Sequence, residues 1–557
     1  MSTRNIALSA TALSVLLLAA GCDTQSTAEP VIRTVPPPGG SVLTIPEGVP
    51  LTRPERTGYQ ETSTHADVVA FLDSLQARGA EMTRGIIGRT SQGREIPYVI
   101  ASRPLVSTPE EARALNRPIV YVQGNIHGGE VEGKEALQIL LRDLLLSPEP
   151  NLLDSLVLIA VPIYNADGNE SWGSQERQRG SQNGPEQVGI RPNGTGLNLN
   201  RDYIKAETPE TRGSLAMFNT WNPDMFVDLH TTNGSYHGYA LTYSPSLHPG
   251  APLGKYTAEV LLPAVRERVA ERSGFPTYDY GNFPGGRGAL TDTMKTAWRT
   301  YEHLPRYGTN YYGLRNRVGV LAEAYSHDPF DRRVAATYSF VRELFGWTAE
   351  NAESFLSMIA TQGEGSDLPV ALRSSLPDSS ASDRVVFERL VSTGDTTTRT
   401  EPGVPKGLQR TGEYFEQLMP VQTVFEATQT AEIPAAFAIP AADTAVVSLL
   451  RLHGIQLSQL ESPWTGEVSA FTMDSVITAE RPFEGHAEVR IEGQGWASAS
   501  RELPAGTFIV RGDQPLGRLA MVLLDPMSDD GLATWNFFDP LTAGEEFPIL
   551  QLRGDVP

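Results

Sequence analysis

An α/β fold, with a mixed central sheet flanked by helices and followed by a β-rich C-terminal domain, is what the sequence predicts. Three observations lead there. Largely apolar runs too short for helices, at 119–122 (IVYV), 156–163 (LVLIAVPI), 225–229 and 318–322, alternate with segments of helical spacing. The first, third and fourth of these runs stop at Gly124, His230 and Glu323, so candidate reactive groups gather at the carboxyl ends of buried strands, where open α/β sheets place ligands. Beyond about residue 410, short alternating runs at 445–450, 487–491 and 507–510 are separated by Gly and Pro turns, the pattern of a β-sandwich-like accessory domain.

In chain order, the first stretch is MSTRNIALSATALSVLLLAAGCDTQ, with Arg4, an apolar run from Ala7 to Ala20, and small residues up to Cys22. The run has signal-peptide proportions rather than those of a membrane span. Cys22 is the only cysteine among 557 residues, so neither an intrachain disulfide nor a thiolate zinc site is available. LAAGC resembles the bacterial lipoprotein processing box, with Leu18 one place further from the cysteine than usual. The resemblance implies a signal peptide over 1–22, lipidation of Cys22 and a lipid-anchored protein of the cell envelope; a secreted protein with an incidental cysteine is the alternative.

Residues 23–58, with Pro36, Pro37, Pro38, Gly39 and Gly40 in series, are expected to form a tether. The formal charge is −21, from 45 basic and 66 acidic residues, and no dense Lys/Arg cluster occurs. Nucleic acid is therefore not an expected partner, and membrane attachment is expected through Cys22 alone. A catalytic domain over 59–360 follows, opening with a helix at 65–78 and two short strands around Ile86–Gly88 and Ile96–Ile100. A helix continues from Ala136 to Leu145 and another spans Val334–Phe345. Residues 361–408, rich in Ser, Thr, Asp and Pro, read as a linker or irregular segment, and 409–557 as the β-rich domain.

Collected from the strand ends, His127 and Glu130, Asn165 and Asp167, His230, and Glu323 could meet at one sheet edge. Two histidines and a carboxylate are a zinc-ligand set with a fourth position for water, and a further carboxylate beside that water can act as general base. A core histidine or turn residue is the competing reading of His127 taken alone.

Five segments, in order, resemble the zinc carboxypeptidase family typified by carboxypeptidase A, in its bacterial secreted branch. GNIHGGE (124–130) resembles the segment with the first two metal ligands, PIYNADG (162–168) the Asn-Pro-Asp-Gly turn with Ala166 in place of proline, and GIRPNGTGLNLNRDY (189–203) the segment with the substrate clamps. VDLH (227–230) and VLAEAY (320–325) resemble the strands bearing the third ligand and the catalytic glutamate. The resemblance implies one zinc ion per chain on His127, Glu130 and His230, with Glu323 as general base. It also implies Arg191 at the oxyanion, and Asn200 with Arg201 on the terminal carboxylate of a peptide substrate. Arg177 and Arg179 compete for the oxyanion role, and Tyr301, Tyr307, Tyr311 and Tyr312 for that of the tyrosine covering the substrate. Asn198 stands where the family has an aspartate behind the first histidine, and a neutral amide cannot raise ligand basicity as a carboxylate does.

His237 is assigned to pocket lining or structure. The acids Asp525, Asp529 and Asp530 are expected in a solvated turn rather than a calcium site, and Trp535, Phe537 and Phe538 in a core. Two other functions share some of these features: a zinc deacylase or amidase of the aspartoacylase kind, with the same metal set and an Asn-Arg pair, and a catalytically impaired peptide-binding lipoprotein, suggested by Asn198.

Overall fold

The computed structural model describes residues 32–363, 369–378, 380–554 and 556; the expected signal peptide and Cys22 lie outside them. The central sheet has eight strands: β1 (Thr83–Arg89), β2 (Glu95–Ala101), β3 (Ile119–Gly124), β4 (Val157–Val161), β5 (Met225–Thr231), β6 (Leu241–Pro245), β7 (Thr277–Asp279) and β8 (Val318–Ala324). Their order is β7-β6-β8-β5-β3-β4-β2-β1. The middle four, β4, β3, β5 and β8, run parallel, while β6 is antiparallel to β8, β2 to β4, and β1 to β2. Every residue of those four middle strands is buried. Covered on both faces, they have no polar side to alternate with, which is why they read as unbroken apolar runs.

Side chains alternate between the two faces along each strand. One face sends Val120, Val122, Val227, Leu229, Val320 and Ala322 against α2 (Glu132–Leu146), α4 (Leu262–Ser273) and α6 (Phe330–Glu350). The other sends Tyr121 and Phe226 against Phe218 of α3 (Pro209–Trp221) and Tyr312 of α5 (Gly308–Leu314), whose rings stack at 3.8 Å. The first helix, α1 (His65–Ala77), starts at a capping box in which Thr64 and Asp67 each satisfy the other's backbone N–H. The aromatic cluster under α3 and α5 continues without a break into the C-terminal region through Phe437, Val510, Leu519 and Trp535. The accessory domain thus shares a core with the catalytic one.

That domain holds a six-stranded sheet, with Ala436–Ile439 between Phe508–Arg511 and Leu550–Leu552, and two helices, Thr444–Leu452 and Gly517–Leu524. The first helix corrects the expected strand at 445–450: its buried residues Val446, Val447, Leu449 and Leu450 fit the helical spacing as well as a strand.

The expected tether and the expected linker or irregular segment both contain paired strands. Within 32–58, Arg33–Val35 pairs antiparallel with Leu408–Gln422. Thr52 caps a short helix whose Glu55, buried, takes Arg142 Nη1 at 2.8 Å. Within 361–408, Val370–Ser375 pairs with Glu426–Ala431, and Ser382–Ser392 with Leu408–Gln422. Polar composition misled because these strands bury only part of their length, through residues such as Val370, Leu372, Phe387 and Leu390, and leave the rest polar and exposed. Among the described residues no helix is long and apolar enough to cross a membrane.

Candidate active site

At the end of β3 the chain turns on Asn125, whose φ of +64° lies in the left-handed region that asparagine tolerates. Its Nδ2 donates to the carbonyl oxygens of His127, Gly128 and Glu130 at 3.3, 3.1 and 3.0 Å, closing the loop on itself. Asn125 carries the positive φ, and Gly128 answers to crowding: a Cβ there would lie 2.2 Å from the carbonyl carbon of Gly168. Asn165, after β4, donates to the carbonyl oxygens of Ile126 and Arg191 and so ties the loop to the segment of Arg191. Asp167 is spent on Thr90, Ser91, Gln92 and Arg94 and holds the β1–β2 turn.

His127, Glu130 and His230 come together, each no more than 3 % exposed, with one ligand atom from each within 4.8 Å of the others. His127 Nδ1 lies 3.0 Å from Glu130 Oε1 yet is buried without a hydrogen bond, an alignment that suits two ligands of one ion. His230 Nδ1 lies 3.0 Å from Glu130 Oε2. Both Nε2 atoms face outward, His127 to Asn198 Oδ1 at 3.0 Å and His230 to Asp228 Oδ2 at 2.9 Å. A proton on each Nε2 leaves both Nδ1 lone pairs inward, so the set fits one zinc ion with a coordination position to spare. Asp228 was not singled out from the sequence, although its place two residues before His230 puts both on one face of β5.

Charge around the cluster follows from burial and neighbours. Burial pushes the His127 imidazole down to about 3, helped by Arg191. Burial pulls His230 the same way, but Asp228 and Glu130 outweigh it and the net shift is well upward. For Glu130, burial is outweighed by His127 and Arg179, which hold the carboxyl well below its ordinary range. Glu323 stands directly across from His230 in the β5–β8 pairing and across from Thr242 of β6. Its Oε2 is buried with no hydrogen-bond partner, and burial pushes its carboxyl up to about 8.

Of the three candidate arginines, Arg177 is exposed. Arg179 is buried, giving Nη1 to Glu130 Oε1 at 3.0 Å and Nη2 to the carbonyl oxygens of Thr231 and Thr232. Arg191 reaches the same Oε1 at 3.3 Å with a side chain 36 % exposed. Its guanidinium therefore combines access with proximity to the metal cluster.

Asn200 lies 3.5 Å from His230 Nε2 through its Nδ2 and accepts the Gly308 N–H at 2.9 Å. Arg201 donates to the Asn200 carbonyl oxygen, stacks its guanidinium 3.8 Å from the centre of the Tyr307 ring, and forms no ion pair among the described residues. A half-buried guanidinium without a counter-ion is a ready carboxylate site. Tyr311 and Tyr312 belong to the aromatic core and Tyr307 to Arg201. Tyr301, with its hydroxyl buried and Glu323 among the charges acting on it, is the tyrosine left beside the base.

His237 is buried against Tyr325 and Trp298 and stands outside the ligand group. The acidic run near 525–530 is bound by protein donors: Asp525 by Trp496, Asp529 by His303 and Asp530 by Arg306. A separate cavity of about 1360 Å³ opens by Arg117, Asp224 and Arg317, at the amino ends of β3, β5 and β8, and touches none of the site residues.

Residues 68–316 match the family model described as zinc carboxypeptidase. The chain is 23 % identical over 489 residues to carboxypeptidase 2 of Trichophyton equinum, covering 84 % of this chain and 82 % of that protein. It is 22 % identical over 491 residues to carboxypeptidase 2 of Trichophyton rubrum, with the same coverage. A metallo-carboxypeptidase structure from Burkholderia cenocepacia aligns with a TM-score of 0.38 at 16 % identity, over 52 % of this chain and 70 % of that one, too loosely to add to the sequence match.

Proposed function

We propose that this chain, whose residues 68–316 match the zinc carboxypeptidase family model, hydrolyses the C-terminal peptide bond of peptides bearing a free terminal carboxylate. The observation that carries the reading is the placement of Glu323 directly across from His230 of the candidate metal ligands, with Arg201 forming no ion pair among the described residues. His127, Glu130 and His230 would hold a zinc ion, which when bound would supply the Lewis acidity that makes a water acidic near neutral pH and polarises a carbonyl. Glu323 takes the proton of the attacking water on its carboxylate and delivers it to the leaving amine. Arg191 faces the negative charge that develops on the carbonyl oxygen, where a fixed cation is worth most. Asn200 and Arg201 hold the terminal carboxylate, and Tyr301 closes the pocket beside Glu323.

Digestion of a peptide mixture with and without a chelator, followed by mass-spectrometric ladder sequencing, tests this. Loss of single residues from free C-termini, sparing amidated ones, is the expected result. Release of acyl groups from N-acyl amino acids, with peptides untouched, would favour the deacylase reading.

We further propose export and lipid anchoring at Cys22, supported by the LAAGC segment after an apolar run. Finding the protein without lipid, or still carrying residues 1–21, when isolated from its own cells would overturn that reading.

A further inference from the structure

The clamp residues are held by three consecutive residues, Arg306, Tyr307 and Gly308. Tyr307 supplies the ring under the Arg201 guanidinium at 3.8 Å, and the Gly308 N–H fixes Asn200 Oδ1 at 2.9 Å. Arg306 is where this stretch is anchored, and its anchor comes from the far end of the chain. Its backbone N–H donates to Asp530 Oδ2 at 2.6 Å and its Nε to Asp530 Oδ1 at 2.9 Å. Trp535 donates to the same Oδ1 at 2.9 Å and lies under the Arg306 guanidinium at 4.5 Å. A second route meets the first: Lys205 sits 4.1 Å over the Trp535 ring and donates to the Arg201 carbonyl oxygen at 2.9 Å.

We infer that the C-terminal domain is a working part of the carboxylate clamp and that Asp530 is its positioning residue, acting on Arg201 and Asn200 through Arg306, Tyr307 and Gly308. Asp530 is fully buried and meets four donor contacts from Arg306 and Trp535. Removing its charge leaves the buried Arg306 guanidinium to the partly exposed Glu488 alone, which meets Nη1 at 2.6 Å, and frees the backbone N–H and Nε that Asp530 fixes, so that a displaced guanidinium carries Tyr307 with it. Clamp geometry then degrades while the metal ligands, in the loop after β3 and on β5, keep their places. The inference rests on the reading of Arg201 as the carboxylate site.

The test uses the full-length zinc-loaded chain, with Asp530→Asn and, should that variant fold poorly, Arg306→Lys. Two quantities are read: KM and kcat on a free-carboxylate dipeptide derivative, and the Kd of 3-phenylpropanoate, a carboxylate probe that needs no turnover. Both KM and Kd are expected to rise ~10-fold or more with kcat within ~2-fold and zinc content unchanged. Val510→Ala, a core truncation in the same domain, should lower Tm and leave KM and Kd alone. Unchanged KM and Kd in Asp530→Asn, or a wild-type chain that does not bind the probe, would overturn the inference. A wild-type chain that binds the probe but cleaves no peptide defeats the proposed activity alone, because the comparison of Kd values still decides the role of Asp530.

Discussion

Glu323 and His230 occupy directly opposed positions in the parallel pairing of β8 with β5. A metal ligand and the candidate base are thereby set by sheet register, the least deformable feature of the domain. The first expectation follows. Glu323→Gln should lower kcat by roughly 10²- to 10⁴-fold and keep zinc at one per chain, measured by atomic absorption. Loss of the metal in that variant would remove Glu323 from the role of base.

The pH profile has a definite sign. Glu323 must be ionised to accept a proton, and burial pushes its carboxyl up to about 8, whereas Arg179 and Arg191 lower it. A divalent cation lowers it further, so the acid limb of kcat/KM should lie below 8 in the zinc enzyme. Arg179→Gln removes a cation that favours the carboxylate, and the acid limb should therefore move to higher pH. A limb that moves down, measured with a neutral peptide substrate, would contradict this.

Asn198 accepts from His127 Nε2 at 3.0 Å, and its own backbone N–H donates to Glu484 of the C-terminal domain at 2.9 Å. Replacing the amide by a carboxylate makes the imidazole a stronger ligand. Asn198→Asp should tighten zinc binding, and Asn198→Ala should weaken it by ~10- to 100-fold, both read by competition with a chelator.

Gly128 has no room for a methyl group, since the Cβ would meet Gly168 backbone at 2.2 Å. Gly128→Ala should destabilise the chain by about 1–3 kcal/mol and lower zinc affinity, because the loop it displaces carries two ligands. An unchanged Tm in thermal unfolding of the zinc-loaded protein would show that the Gly168 turn yields.

The metal set was legible in the sequence because His127, Glu130 and His230 follow apolar runs that can only be buried strands. The carboxyl ends of parallel strands converge on one edge. Asp228 was harder to see, since an acid two residues from a histidine is common, and only burial beside Nε2 gives it meaning. The choice among the tyrosines needed the packing of α5, which commits Tyr311 and Tyr312 to the core.

What the sequence by itself determined is therefore local or periodic: the helical spacing of α1 and α6, the unbroken apolar strands, and the ligand residues at their ends. Only the tertiary structure decided the rest. Arg33–Val35 and Ser382–Ser392 become strands because Leu408–Gln422 lies between them, and the acids near 530 belong to Arg306 and His303 rather than to solvent or calcium. The physical reason is the same throughout. A periodicity is written in neighbouring residues, whereas a hydrogen bond from Asn198 to Glu484, or from Arg306 to Asp530, joins positions more than 200 residues apart and leaves no trace until the chain has folded.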